Sequence, residues 1–202
     1  KPTSAASNAA FPTDRQAAMK RVLVTGATGF TGRYLVRELV AAGWEVWETG
    51  RAPVVSNAQY RQADIARRGD VEALLDAVTP QAIVHLAAQS FVAADNAESF
   101  YLSNLLGTRN LLSAATDVLA SPPFLLLASS ANVYGDAGDI LIRESQPPNP
   151  SNEYAVSKLA MEQLARLWMD RLPMVITRPF NYTGAGQNPR FLLPKIVEHL
   201  RG

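Results

Sequence analysis

Two groups of residues in this sequence have types and spacings suited to chemistry. Gly26-Ala27-Thr28-Gly29-Phe30-Thr31-Gly32 lies near one end, and Tyr154-Ala155-Val156-Ser157-Lys158 lies far downstream, with Ser129-Ser130 between them. A helix start presents unpaired N–H groups and the positive end of its dipole, so a pyrophosphate can settle on a glycine-rich strand-to-helix turn without a side-chain cation. Gly26 would permit the tight turn, Gly29 the approach of backbone to phosphate, and Gly32 the close packing of helix on strand. Positions four apart on a helix share a face, so Tyr154 and Lys158 can be aimed at one spot. A phenol ordinarily titrates at about 10, poorly matched to acid–base work near neutrality, and a neighbouring ammonium favours its phenolate. In this order the two groups point to nicotinamide-dependent redox chemistry on a hydroxyl or carbonyl. A nucleotide-hydrolase phosphate loop fits poorly, because the Gly-Lys-Ser/Thr ending is missing.

The elements that must position these groups are legible from periodicity. Arg21-Val22-Leu23-Val24-Thr25 is a short β-branched run of the kind buried in parallel sheets. Beyond the glycines, Tyr34, Leu35, Leu39 and Val40 recur at helical spacing, with Gly43 where a helix would end. Strands are expected at Val22–Thr25, Glu45–Thr49, Tyr60–Gln62, Ala82–Leu86, Phe124–Ala128 and Met174–Thr177. Helices are expected near Gly32–Ala42, Asp70–Val78, Glu98–Thr116, Asn152–Arg171 and Phe191–Leu200. Such alternation predicts an α/β domain, a doubly wound parallel sheet with helices on both faces. Residues 19–202 read as that one domain. Residues 1–18, rich in Ala, Ser, Thr and Asn, read as a disordered extension or an added, non-native segment and lack the apolar core of a secretory signal.

Composition narrows the function classes. The 202 residues are 48% hydrophobic with a formal net charge of +1, enough for a substantial core. Lys and Arg are interspersed with acids, which argues against nucleic acid as a partner. Arg67-Arg68, the densest basic spot, reads as a solvated helix-edge pair. No apolar run is long enough to cross a bilayer. Cysteine is absent, so no disulfide or thiolate site exists, and a cytoplasmic location is expected. His85 and His199 lack metal-ligand spacing, so no metal is expected, and His85 reads as a structural residue at a strand end.

Gly26-x-x-Gly29-x-x-Gly32 with Tyr154-x-x-x-Lys158 resembles the extended short-chain dehydrogenase/reductase family of the NAD-dependent epimerase/dehydratase type. Further segments agree: His85-Leu86-Ala87-Ala88, Asn104 with Gly107-Thr108, Ser129 to Gly135, and Arg178-Pro179-Phe180-Asn181. The resemblance implies a Rossmann-like fold and a catalytic Ser130, Tyr154 and Lys158. It assigns the cofactor to Gly26, Thr28, Gly29, Phe30, Thr31, Gly32, Asp64, Ile65, Leu86, Ala87, Ala88 and Asn104, with Pro179 and Phe180 shaping the nicotinamide pocket. Lys158 would also bond the nicotinamide ribose, and Ser130 would hold the reacting oxygen. Substrate contacts would come from Gln89, Ser90, Ser130, Asn132 and Asn181. Ser129 reads as a strand-end hydrogen-bonding residue.

Family members specific for NAD place an acid at the end of the second strand, whereas this chain has Thr49-Gly50-Arg51. Arg51 can pair with a 2′-phosphate, so NADP(H) is favoured, with NAD(H) open. Asn132 stands where dehydratase relatives often carry Glu, and an amide is a poor general base. The run Arg178 to Gln187 resembles that of GDP-6-deoxy-4-keto-mannose reductases, with Tyr182 for His and Ala185 for Pro. The resemblance implies NADP(H)-dependent reduction of a nucleotide-linked 4-keto-6-deoxy sugar. The alternatives are a nucleotide-sugar 4-epimerase or dehydratase, or a non-catalytic NADP(H)-sensing module. A nucleotide sugar is the expected small-molecule partner, and a homodimer through helices near 98–116 and 152–171 is a further expectation. Family members continue into a small C-terminal substrate region, so truncation before that region is expected.

Overall fold

The computed structural model describes residues 20–54, 57–89, 97–138 and 140–201. Residues 1–18 and Ser90 fall outside the described set. Six strands, β1 (Arg21–Thr25), β2 (Glu45–Gly50), β3 (Tyr60–Gln62), β4 (Ala82–His85), β5 (Phe124–Ala128) and β6 (Met174–Thr177), form one parallel sheet in the order β3-β2-β1-β4-β5-β6. The order reverses between β1 and β4, opening a crevice at their carboxyl ends where ligands of open α/β sheets bind.

Both sheet faces are buried, as the apolar strands require. Val22 and Val24 of β1 and Val46 of β2 point to one face, packing against Leu35, Val36 and Leu39 of α1 (Phe30–Ala41). Leu23, Ile83, Leu125 and Leu127 point to the other. There they meet Val71, Leu74, Leu75 and Val78 of α2 (Arg68–Val78), an i, i+3, i+4, i+7 stripe. Arg68, on the edge of α2, is bonded to Glu72 and to Asp117.

The stretch expected as one helix from Glu98 is a short α3 (Glu98–Phe100), a π-helical segment (Tyr101–Gly107) and α4 (Thr108–Asp117). A Cβ on Gly107 would lie 2.7 Å from Ile65 Cδ1, so glycine there lets the helix approach the turn after β3. Helix α5 (Glu153–Arg166) starts at Asn152, whose side chain accepts from the Ala155 N–H at 2.9 Å. It ends five residues before the expected Arg171. Beyond Arg166 the chain tightens into successive i→i−3 bonds, from Leu167 to Leu164 and Trp168 to Ala165, while Leu172 is fully buried ahead of Pro173. A residue preceding proline is disfavoured in helical conformation, so the helix cannot run on through Leu172. Helix α6 (Leu192–Arg201) follows the last strand.

Candidate active site

The glycine turn after β1 is fixed by contacts that exclude side chains. Gly26 has φ +71°, and a Cβ on it would lie 2.8 Å from the Ala87 nitrogen, because β1 and the exit of β4 nearly touch there. A Cβ on Gly32 would meet the Gly26 and Ala27 carbonyl oxygens at 2.4 and 2.5 Å, so this glycine serves helix packing rather than lining the crevice. Gly29 begins α1 in extended conformation, offers no side-chain cap, and the first turn carries no acid. The helix start is therefore left open to an anion.

A cavity of about 230 Å³ lies over this turn. Gly26, Thr28, Gly29, Arg51, Asp64, Ile65, Leu86, Ala87, Ala88 and Gln89 all border it, as do Thr49 and Gly50 of the expected second-strand end, and Thr25, Ala63 and Ser103, which sequence reasoning missed. Whether these residues suit a dinucleotide is tested by what their atoms lack. The buried Thr49 Oγ1 has no partner among the described residues, and the start of α1 at Gly29 carries no side-chain cap. Both observations fit a ligand with ribose hydroxyls and phosphates. Asp64 borders the cavity while its Oδ1 also accepts from the Ala66 N–H, so it forms a turn as well.

Other expected cofactor residues are engaged within the protein. Asn104 is fully buried; its Oδ1 accepts from the Gln89 N–H, and its Nδ2 donates to the Gln89 carbonyl and to Ser157 Oγ. Ser157 in turn donates to the Tyr154 carbonyl. Asn104 thus braces α5 against the exit of β4 rather than bordering the cavity. Phe30 and Thr31 face a strap formed by residues 182–186. Tyr182 stacks on Phe30 at 6.1 Å and its hydroxyl bonds Thr31 Oγ1, while Tyr34 and Arg33 hold the Ala185 and Gly186 carbonyls.

Beyond β5, the buried Ser130 caps a 3₁₀ turn over Ala131–Tyr134, its Oγ accepting from the Asn132 N–H. Asn132 itself is exposed. Pro179 accepts from the Ala131 N–H, whereas Phe180 is 60% exposed and Asn181 is also exposed. Ser129 donates its N–H to Thr177, but its buried Oγ has no partner among the described residues, so only its backbone plays the strand-end role expected of it.

Tyr154 packs on Phe100. Burial pushes its phenol above the usual value, the Ser130 hydroxyl opposes this, and Tyr182 adds to the rise. Lys158, one turn along, is buried and donates to the Ala128 carbonyl at 2.6 Å. Burial lowers its pKa from 10.5 to about 8, with Glu162 acting to raise it. The expected ammonium–phenolate pairing is therefore not what sets the Tyr154 phenol here; the lysine is drawn to the carbonyl at the end of β5.

Behind the cavity lies a chain of bonds around His85. Thr108 gives its hydroxyl proton to the Asn104 carbonyl, so it can only accept from His85 Nε2, at 2.9 Å. Nδ1 is then the acceptor for the Thr25 hydroxyl at 2.7 Å, and Thr25 Oγ1 accepts from the Ala87 N–H. The imidazole is neutral, its pKa lowered to about 3 by burial and, second, by the Lys158 charge. Among the described residues no group of three or more His, Cys, Asp or Glu could hold a metal ion, and no helix is long and apolar enough to cross a membrane.

A glycine cradle at the switch point of a parallel sheet, with a serine after the neighbouring β5 and a tyrosine and a buried lysine one turn apart on α5, defines the extended short-chain dehydrogenase/reductase type of site. The chain belongs to the NAD dependent epimerase/dehydratase family, which it matches over residues 22–201. It is 36% identical over 183 residues to the GDP-6-deoxy-D-talose 4-dehydrogenase of Aggregatibacter actinomycetemcomitans, covering 88% of this chain and 58% of that protein. It is also 36% identical over 188 residues to the GDP-6-deoxy-D-mannose reductase of Pseudomonas aeruginosa, covering 90% and 58%. The solved dTDP-glucose 4,6-dehydratase DesIV of Streptomyces venezuelae, a double mutant with NAD bound, superimposes with a TM-score of 0.78 at 30% identity, covering 90% of this chain and 62% of that one. The chain thus spans less than two thirds of these relatives' length.

Proposed function

We propose that this chain carries the cofactor-binding and catalytic residues of a nucleotide-sugar oxidoreductase that reduces a nucleotide-linked 4-keto-6-deoxy sugar, with NADP(H) as the preferred cofactor and GDP as the carrier. The observation that carries the reading is the placement of Ser130 and Lys158 at the carboxyl end of β5, Lys158 bonding the Ala128 carbonyl, with Tyr154 one turn before it on α5 and the glycine cradle at the carboxyl end of β1 in the same parallel sheet. A phenol is protonated at neutrality, so Tyr154 can give a proton to a carbonyl oxygen as its carbon takes a hydride. The bound nicotinamide would supply the hydride to the carbonyl carbon. Tyr154 gives its proton to the carbonyl oxygen, Ser130 holds that oxygen, and Lys158 stabilises the phenolate left behind. Carbonyl, hydride and proton together make the alcohol, so the charges balance.

Support for NADP(H) comes from the end of β2. Gly50 borders the cavity, and a Cβ there would meet Tyr60 Oη at 3.1 Å and Thr28 Oγ1 at 3.4 Å, which crowds the place where relatives specific for NAD put an acid. Arg51 is exposed beside it and also borders a second cavity of about 500 Å³ with Arg61 and Arg67. A guanidinium in that place can pair with a 2′-phosphate through parallel bonds. Support for the sugar comes from Asn132 in place of a carboxylate and from the named activities of the Aggregatibacter and Pseudomonas relatives. Pairing of two copies through the helices near 98–116 and 152–171 is part of the proposal, since Leu102 and Leu106 on the π-helical segment and Val156 on α5 are exposed.

The test is incubation with a GDP-linked 4-keto-6-deoxy sugar and NADPH or NADH, following loss of reduced nicotinamide and the sugar formed. Net oxidation of NADPH with a reduced sugar supports the reading. Epimerisation without net cofactor consumption selects the 4-epimerase alternative.

A further inference from the structure

Tyr154, Lys158 and Glu162 stand four residues apart along α5, so they form one stripe facing β5 and β6. The third member is an acid, 1% exposed, in a helix face otherwise buried through Ala155, Met161 and Ala165. A buried carboxylate survives as an ion only when paired. Arg178, immediately after β6, meets it with both prongs, Nε to Oε1 at 2.9 Å and Nη2 to Oε2 at 2.6 Å. The remaining Nη1 donates to Tyr134 Oη at 2.7 Å, and the guanidinium lies 4.9 Å from the Tyr134 ring centre. Tyr134 closes the turn that Ser130 opens. One side chain therefore ties together the Ser130 turn, the Tyr154–Lys158 helix and the exit of β6.

We infer that Glu162 and Arg178 form a positioning pair for Lys158: Arg178 fixes the three catalytic elements in register, and Glu162 supplies the buried negative charge that keeps the lysine an ammonium. The inference rests on the proposed role of Lys158 toward the cofactor, and it gives a function to two residues outside the cavity. Burial alone drives Lys158 toward its neutral form, and Glu162 is the group that opposes this. A neutral amine would lose the charge proposed to stabilise the phenolate formed on proton transfer and one of the donors it could offer a ribose. Arg178 limits the effect, because part of the Glu162 field is spent on the guanidinium. The other titratable or charged side chains on elements packed against α5 are Glu98, Tyr101, Arg109, Asp117 and Tyr134. His85, on β4, senses the Lys158 charge but is neutral above about pH 3.

The experiment reads the lysine itself. Lysine side chains labelled with ¹³C at Cε are titrated by NMR in the unliganded protein, the Lys158 signal being assigned by its absence in Lys158→Met. Glu162→Gln should lower the Lys158 midpoint by about one pH unit or more, the range expected for loss of a nearby opposite charge. The double variant Glu162→Met/Arg178→Met removes the pair without leaving a lone buried charge, a replacement that buried ion pairs commonly tolerate, and should also lower the midpoint. The pH limb of NADPH binding should follow in the same direction in both variants. An unchanged Lys158 midpoint in a folded variant overturns the inference, as does loss of fold in both, which would make the pair a fastening only. If the wild-type protein binds no NADPH while the midpoint still moves, the cofactor reading fails and the electrostatic coupling stands.

Discussion

Replacing Lys158 by Met should make the protein more stable and a poorer binder of its cofactor. In the folded chain this ammonium titrates at about 8 instead of 10.5, because burial disfavours its charge. At ~1.4 kcal/mol per pH unit, that depression corresponds to a destabilisation of about 3 kcal/mol. Removing the donor leaves the Ala128 carbonyl without its 2.6 Å partner, which returns roughly 1 kcal/mol. The net gain is then about 2 kcal/mol, or a Tm rise of ~4–8 °C for a domain of this size. The sign also fixes the pH dependence. A lysine with a depressed folded-state pKa is at its full cost below about pH 8, and the cost is relieved as pH rises toward 10.5. Chemical denaturation of wild type and variant at pH 7 and pH 10 measures both quantities. The gain should be large at pH 7 and mostly gone at pH 10, with NADPH affinity reduced. Equal or lower stability of the variant at pH 7 would refute the idea that a strained charge is kept here for function.

His85 predicts the opposite limb of the stability curve. With a folded-state pKa of about 3, against 6.5 for a free imidazole, the native state binds fewer protons than the unfolded state between those values, so stability falls as pH drops through that window by up to ~1.4 kcal/mol per unit. His85→Asn should flatten that limb in denaturation measured from pH 4.5 to 7, while lowering stability at neutrality by breaking the bonds to Thr25 and Thr108. Arg51→Ala should weaken NADPH binding while leaving NADH binding nearly unchanged, measured by titration of both cofactors. Equal affinities in wild type would remove the proposed preference.

The parallel strands were the most legible part of this fold. Tyr60–Gln62, Phe124–Ala128 and Met174–Thr177 are strands at the residues where short apolar or β-branched runs between turn signals put them. The helix from Glu98 was legible as a helix but not as a π-helical one, because apolar periodicity over seven residues does not separate the two windings. The glycine cradle was legible because its contacts are local: Gly26, Gly29 and Gly32 act on backbone within a few residues or on the adjoining strand. The partners of the Tyr154–Lys158 stripe were not. Lys158 bonds a backbone carbonyl 30 residues away, which no residue type announces, and Thr49 gains its place in the cavity only from the sheet order. Glu162 did leave a signal, an acid at the third position of a stripe shared with Tyr154 and Lys158. Its partner Arg178 comes from a different element, so only the fold joins them.

The central claim is that Tyr154 delivers the proton during hydride transfer. Tyr154→Phe keeps the ring against Phe100 and removes the only atom at that position able to give a proton. The decisive measurement is single-turnover reduction of the GDP-linked keto sugar at saturating NADPH, with NADPH affinity titrated alongside. The account predicts unchanged affinity and a rate lower by roughly a hundredfold to ten-thousandfold, the usual worth of positioned acid–base assistance. Transfer at the wild-type rate would contradict it and leave Tyr154 a packing residue.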